Sequence, residues 1–361
     1  MDKWMKLFVL GAGSYGKVYY AVKFHSSSLF AEIAAIKCSD IRCSFSLELE
    51  AEVLTTLKDC PNVVQFSGVS VSMANGIPTY NLFLEYACGG SLHDLITNSK
   101  RRMIKMSELE VGFYAYQLLN GVQHVHKKGW IHCDIKPANI LVFDNERDGM
   151  HQLKLADFGL SLEVGDGMAY VTGRSLSNRG TLLYAPPESL TCGFHSKAYD
   201  IWSIGCTVAE MMTGNRVWID QGTKEYLEWQ IMNKDPVIPN NVSAIARDFL
   251  SKCLINDPLG RWTSEQLLQH PFIQQALCIS MPKTQRVTRE FEMQRMKESE
   301  TIKDYSDRLL LIANKVRILG TELNDNRIVQ KILVTLPERY EATIASLENT
   351  KDLSRLSLAE L

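Results

Sequence analysis

The feature that most limits what this chain can be is the run His132-Cys133-Asp134-Ile135-Lys136-Pro137-Ala138-Asn139, which leads into the apolar strand Ile140-Leu141-Val142 and is followed by Asp157-Phe158-Gly159. Packing does not ask for an acid, a lysine and an amide at this spacing with a second acid soon after. The set does suit phosphoryl transfer, which needs a carboxylate to orient an acceptor hydroxyl (Asp134), a cation against the phosphate (Lys136) and oxygen ligands for a metal (Asn139, Asp157). The plain alternative is a polar loop followed by an Asp-Gly turn. It would have to arise by accident in order with a glycine loop upstream.

That loop is Gly11-Ala12-Gly13-Ser14-Tyr15-Gly16-Lys17-Val18. GxGxxG is weak alone, because dinucleotide-binding proteins also use it. In those proteins the loop opens a helix, whereas here the chain continues as strand through Tyr20 and Val22. Glycine allows the backbone to approach phosphates closely. The next strand carries Ala35-Ile36-Lys37. A lysine in an apolar strand is ordinarily a solvated edge residue, but the following amphipathic helix offers Glu50, with Glu48 and Glu52 as rivals. Lys37 would bridge the α- and β-phosphates while Glu50 holds its ammonium group.

At 361 residues the chain suits one large two-lobed domain plus an appendage. Strand patterns over Phe8 to Val18, Glu32 to Cys38 and Tyr80 to Tyr86, with a helix over Leu47 to Leu57, give way to helical spacing at Glu110–Lys127, Tyr199–Met212 and Ala244–Leu254, the last two reading as largely buried. Around Ser26–Ser28 and Asp144–Gly149, loop composition suggests insertions that extend hairpins. A net charge of -2 gives no reason to expect nucleic acid or an anionic membrane as partner. No apolar run is long enough to span a bilayer, and the first ten residues lack the apolar core of a signal peptide. The nine cysteines have no paired spacing, which argues against a disulfide framework or zinc site and for the cytosol or nucleus. His124 and His126 read as packing residues, and Trp202 and Trp218 as core.

With these motifs in place, the chain resembles a eukaryotic protein kinase over residues 4 to 275. Glu85-Tyr86-Ala87 matches the family's adenine-holding hinge, with Leu84 at the gatekeeper position. Gly180-Thr181 and Pro186-Pro187-Glu188 match the end of its activation segment, Asp200-Ile201-Trp202-Ser203-Ile204-Gly205 the helix supporting the catalytic loop, and Arg261 the arginine that pairs with Glu188. Lys136 with Thr181 marks the serine/threonine branch. Asn81 to Tyr86, His132 to Lys136 and Gly205 to Gly214 resemble plant mitogen-activated protein kinase kinase kinases. The resemblance implies an α+β, two-lobed protein kinase fold, with a small β-rich N-lobe and a large helical C-lobe. It further implies that ATP is bound by Gly11, Ala12, Gly13, Ser14, Gly16, Val18, Ala35, Lys37, Leu84, Glu85, Ala87 and Leu141, and Mg2+ by Asn139 and Asp157. Asp134, Lys136, Lys37 and Glu50 form the catalytic set, acting on a protein substrate, a mitogen-activated protein kinase kinase. The arginine usual before the catalytic aspartate is Cys133 here. A phosphate on the activation segment, at Ser175 or Ser177, would lose that partner, so activity is expected to depend weakly on such phosphorylation and to survive alanine at Thr172, Ser175 and Ser177.

After Phe272 the composition shifts: charge density rises and glycine nearly vanishes. A linker is expected over 276–287, then an all-α segment over 288–361 with amphipathic helices at Glu290–Leu319 and Asp325–Leu336, the second closed by Pro337. Tyr305-Ser306-Asp307-Arg308-Leu309, Leu333 to Tyr340 and Leu356 to Leu361 resemble the helical region of copia-type retrotransposon gag, cut short and without a zinc knuckle. Gag helices associate, so self-association through the tail is an expectation. The alternative from a different class is a catalytically impaired, kinase-like scaffold arising from fusion with mobile-element sequence.

Overall fold

The computed structural model describes residues 4–13, 16–24, 31–103, 105–144, 150–164, 169–170, 179–218, 222–280, 291, 294–296, 299–318, 323, 325–335, 337 and 340. The chain divides into two compact units, Met1–Ala276 and Leu277–Leu361.

The first unit opens with an antiparallel sheet of five strands: β1 (Trp4–Gly13), β2 (Gly16–Phe24), β3 (Ala31–Asp40), β4 (Phe66–Ala74) and β5 (Ile77–Leu84), in the order β1-β2-β3-β5-β4. The β1–β2 hairpin closes where Gly13 faces Gly16. Gly16 has φ +129, and a Cβ there would overlap the Cys38 carbonyl oxygen, so the turn requires glycine. Helix α1 (Phe45–Thr56) crosses from β3 to β4 and buries Ser46, Leu47, Glu50, Val53 and Leu54, one face at helical spacing.

The helical part follows. A capping box between Ser91 and Asp94 starts α2 (Leu92–Arg101), and Ser107 caps α3 (Glu108–Lys127). Strand β6 (Trp130–Ile131) leads into the motif-bearing loop and then into the hairpin β7 (Ile140–Phe143) and β8 (Gln152–Leu155). Strand β9 (Leu162–Glu163) pairs with β6, and β10 (Ala169–Tyr170) with β11 (Phe194–His195). Helix α4 (Pro187–Thr191) falls between these last two in sequence, and α5 (Lys197–Thr213) follows β11. Every residue of α5 from Tyr199 to Met212 is buried, Trp202 included, and Gly214 ends it in the left-handed conformation. Helices α6 (Lys224–Asn233), α7 (Ala244–Cys253), α8 (Ser264–Leu268) and α9 (Pro271–Ser280) complete the layer. Contrary to the sequence expectation, α7 is not largely buried. It buries Ala246, Phe249, Leu250 and Cys253 and leaves its other side in water, because it lies outside α5 where α5 fills the core.

The second unit contains α10 (Ile302–Ile318) and α11 (Asp325–Thr335). Tyr305, Leu309, Ile312, Ala313 and Val316 of α10 pack with Ile328 and Ile332 of α11, and with Phe291, Met296 and Leu323. One continuous helix was expected over Glu290–Leu319; Phe291 is helical, but residues 294–296 and 299–301 are not, and α10 starts at Ile302. The cause is local: Thr301 and Asp304 form reciprocal side chain-to-backbone hydrogen bonds that set an N-terminus there. Tyr305 donates to the Gln294 carbonyl at 3.1 Å, and its hydroxyl lies 2.7 Å from Thr335 Oγ1.

Candidate active site

Three elements meet at Lys37. The register of β3 sets Lys37 opposite Val18 of β2 and Leu82 of β5. Its Nζ lies 2.7 Å from Glu50 Oε2 of α1 and 2.7 Å from Asp157 Oδ1. Of the rival carboxylates, Glu48 instead accepts from Ser44, and Glu52 is exposed. Burial alone would drive the Lys37 ammonium toward neutrality. Glu50 and Asp157 outweigh it and hold its pKa above the ordinary lysine range. Burial also opposes ionisation of Asp157, and Lys37 more than offsets it, keeping that carboxyl below its usual range. The Glu50 carboxylate also accepts from the Phe158 N–H at 3.3 Å. Ser46, a turn earlier on α1, donates to the Gly159 carbonyl at 3.1 Å. The helix and the Asp157-Phe158-Gly159 segment are therefore tied at two points.

The loop after β6 is held from below. Asp200 of α5, fully buried, accepts the N–H groups of His132 (2.9 Å) and Cys133 (3.0 Å) and the His126 ring (2.9 Å). Burial raises the Asp200 pKa, and His126 and the donated hydrogen bonds bring it below the ordinary value. Anchoring matters because Cys133 (φ 65) and Asp157 (φ 66) both occupy the left-handed region, a strain of about 1–3 kcal/mol each for residues other than glycine. His132 lies 3.0 Å from the Ala156 carbonyl through Nε2 and accepts from the Asp134 N–H through Nδ1. Above this, both carboxylate oxygens of Asp134 accept hydrogen bonds. Oδ2 accepts from Lys136 (2.8 Å) and Asn139 Nδ2 (2.8 Å), and Oδ1 accepts from the Thr181 hydroxyl (2.7 Å), which itself accepts from Lys136 (2.7 Å).

The residues expected to bind the nucleotide lie on β1, β2, β3, β5 and β7 and on the segment after β5. Leu84 lies opposite Ala35 in the sheet, both buried. Val18 and Leu141 are half-buried, and Leu141 bridges Ser91 beyond the hinge. Glu85 is fixed by Lys154, at 2.8 Å to both carboxylate oxygens, and by the Gln65 N–H. Gly90 donates to the Ala87 carbonyl at 3.4 Å. Gly11, Ala12 and Gly13 end β1, facing Val18, Lys17 and Gly16. Ser14 lies outside the described residues, as do Ser26–Ser28, residues 145–149, Thr172, Ser175 and Ser177.

The site fits a nucleotide with a divalent metal. A Cβ on Gly11 or Gly13 would meet no atom within 4 Å, so the protein's own packing does not demand glycine there; a bound phosphate chain would. Asn139 commits its amide nitrogen to Asp134, leaving its oxygen as a ligand, and Asp157 has one carboxylate oxygen beyond the one on Lys37. Two hard oxygen donors suit a cation whose remaining ligands are phosphate oxygens and water.

Residues 4–273 match the protein kinase domain family. The chain belongs to the protein kinase family. Residues 279–361 match the gag polypeptide of copia-type LTR elements. Among curated proteins, the kinase is 37% identical to mitogen-activated protein kinase kinase kinase 20 of Arabidopsis thaliana over 75% of this chain and 78% of that protein. It is 32% identical to kinase kinase kinase 17 of the same plant, over 75% and 69%, and 32% identical to human mitogen-activated protein kinase kinase kinase 4, over 75% and 16%. The kinase is thus a serine/threonine enzyme, and its family's reaction uses ATP with a divalent metal.

Several residues that hold the site were missed from sequence. His126 was read as packing, yet it touches Asp200. Lys154 clamps the hinge carboxylate, Ser46 ties α1 to Gly159, and Arg179 reaches back to Leu160. None lies in a motif, and each acts across a large sequence separation, so spacing carried no signal. Arg261 pairs with Glu188 through both terminal guanidinium nitrogens at 2.8 and 3.1 Å, as the resemblance implied.

Proposed function

We propose that the kinase acts at the third tier of a mitogen-activated protein kinase cascade, transferring the γ-phosphate of ATP to serine or threonine of a mitogen-activated protein kinase kinase. The observation that carries this reading is Asp134, which holds Lys136 and Thr181 while Lys37 is clamped by Glu50 and Asp157. The groups that would orient an acceptor and those that would hold phosphates are thereby set together. The tier and substrate class rest on similarity to plant kinases of that name.

Asp134 orients the incoming hydroxyl and accepts its proton, with Lys136 against the transferred phosphoryl group. Thr181 fixes the Asp134 carboxylate and the Lys136 ammonium, so neither must reorganise during transfer. Lys37, kept charged by Glu50, holds the α- and β-phosphates. Asn139 and Asp157 would hold Mg2+, which when bound neutralises phosphate charge. Gly11 to Gly16 cover the phosphates, the backbone of Glu85 and Ala87 receives adenine, and Val18, Ala35, Leu84 and Leu141 line its pocket. The nine cysteines are all free thiols, in keeping with the reducing cytosol or nucleus we propose as its location.

The test is transfer of labelled phosphate to a catalytically dead mitogen-activated protein kinase kinase. Asp134→Asn and Lys37→Met are each expected to remove about 1,000-fold or more of the rate. A signal equal in wild type and both variants would refute the enzymatic reading and leave a scaffold.

A further inference from the structure

The activation segment, between Asp157-Phe158-Gly159 and Pro186-Pro187-Glu188, is described at both ends, and Arg179 joins them. Its Nη1 donates to the carbonyl oxygens of Leu160 (2.9 Å) and Ser161 (3.3 Å), directly after Gly159. Its own carbonyl accepts from the Tyr199 hydroxyl at 3.3 Å. The next residue, Gly180, has φ +83, and a Cβ there would overlap the Cys133 carbonyl oxygen and lie 2.7 Å from the Tyr199 hydroxyl. Thr181 follows, with its hydroxyl on Asp134. A single guanidinium therefore completes a path of contacts from Asp157, on the metal side, to Asp134, on the acceptor side.

Residue 133, next to Asp134, gives a phosphate nothing to bind. Cys133 is wholly buried beside Ile131, Ala185 and Tyr199, and burial pushes its thiol well above the ordinary value. It carries no charge and does not reach the surface. Ordering the segment through residue 133 is thus ruled out, while Arg179 supplies a cation already bonded to backbone oxygens.

We propose that Arg179 is the positioning residue that ties the two described ends of the activation segment together without phosphorylation, so that Leu160–Ser161 and Gly180–Thr181 already hold their arrangement in the unmodified chain. This rests on the kinase reading above. A charged donor shared between two carbonyls is stronger than a neutral hydrogen bond, and both carbonyls lie close after Asp157. Loss of the guanidinium frees the Leu160–Ser161 turn and loosens Gly180 and Thr181. The lysine–carboxylate clamp on α1 stays untouched.

The test uses the full chain after phosphatase treatment, comparing wild type, Arg179→Ala and Arg179→Lys. Wild type is expected to keep its kcat within about threefold on dephosphorylation, and Arg179→Ala to lose about 10–100-fold in kcat with the KM for ATP changed by no more than about twofold. Arg179→Lys restores part of the loss, because an ammonium can still donate to one carbonyl. Without nucleotide, amide hydrogen exchange at Ser161, Leu162 and Thr181 is expected to quicken in Arg179→Ala. An Arg179→Ala enzyme with wild-type kcat, a wild type that collapses on dephosphorylation, or unchanged exchange at those amides would overturn the proposal. Transfer that survives Asp134→Asn would instead overturn the kinase reading, and the exchange comparison would still decide the role of Arg179.

Discussion

Gly159 offers a test of how closely α1 must approach the Asp157-Phe158-Gly159 segment. Its φ is not in the left-handed region, so alanine is acceptable to the backbone and space alone decides. A Cβ on Gly159 would overlap Ser46 Oγ, at 3.1 Å from the Ser46 carbonyl oxygen and 3.4 Å from its Cβ. Ser46 sits one helical turn before Glu50, so relieving the overlap moves the carboxylate that clamps Lys37. Overpacking of this kind costs about 1–3 kcal/mol. If it falls on the clamped arrangement, kcat drops about 5–150-fold at 1.36 kcal/mol per tenfold. Ser46→Ala alone removes one hydrogen bond to Gly159, about 1 kcal/mol or fivefold. In the double variant the overlapping oxygen is gone and only the 3.1 Å approach to the Ser46 carbonyl remains. The double variant is therefore expected to be more active than Gly159→Ala, within about fivefold of wild type. The assay is steady-state transfer for the four members of the cycle, with thermal midpoints to confirm folding. Simple additivity, with the double variant worse than either single one, would refute the claim that this contact sets the position of Glu50.

Three further outcomes follow from particular contacts. Arg261→Ala strands the buried Glu188 carboxylate and is expected to cost about 3–5 kcal/mol in urea denaturation; Arg261→Lys should rescue little, because one ammonium cannot replace the paired contact. The Asp200 carboxyl has a lower pKa folded than unfolded, so its contribution is complete above the usual carboxylate value of about 3.9 and is lost as pH falls below it. Asp200→Asn should therefore flatten the stability profile below about pH 4, and a curve parallel to wild type there would exclude Asp200 as a source of acid sensitivity. We also propose that the second unit self-associates, since Leu311 and Ile318 on α10 are exposed. Light scattering of the full chain against residues 1–280 checks this, and monomer masses for both would remove the idea.

Motifs were legible wherever chemistry demanded particular residue types close together, and elements wherever apolar spacing was clean, as in α3. Strand β4 was missed although Val69, Ser70, Val71, Ser72 and Met73 alternate apolar and polar at strand period, a legible pattern. Helix α2 was missed although Ser91 and Asp94 form its capping box, a signal that was there to be read. The start of α10 was misplaced because amphipathic spacing continues upstream of the Thr301–Asp304 cap that overrides it.

By itself, the sequence determined the class of chemistry: an acid, a lysine, an amide, a second acid and a glycine loop in one order leave few other uses. It also determined where the composition changes, and so that a helical segment unlike the rest follows. Only the tertiary structure decided that His126 joins Asp200 in holding the loop after β6, that Lys154 clamps the Glu85 carboxylate, and that Arg179 bridges the ends of the activation segment. The reason is range. Local spacing records which side chains share a strand or helix face, whereas these contacts join segments brought together by burial of the core, and no short-range pattern encodes which partner burial will select.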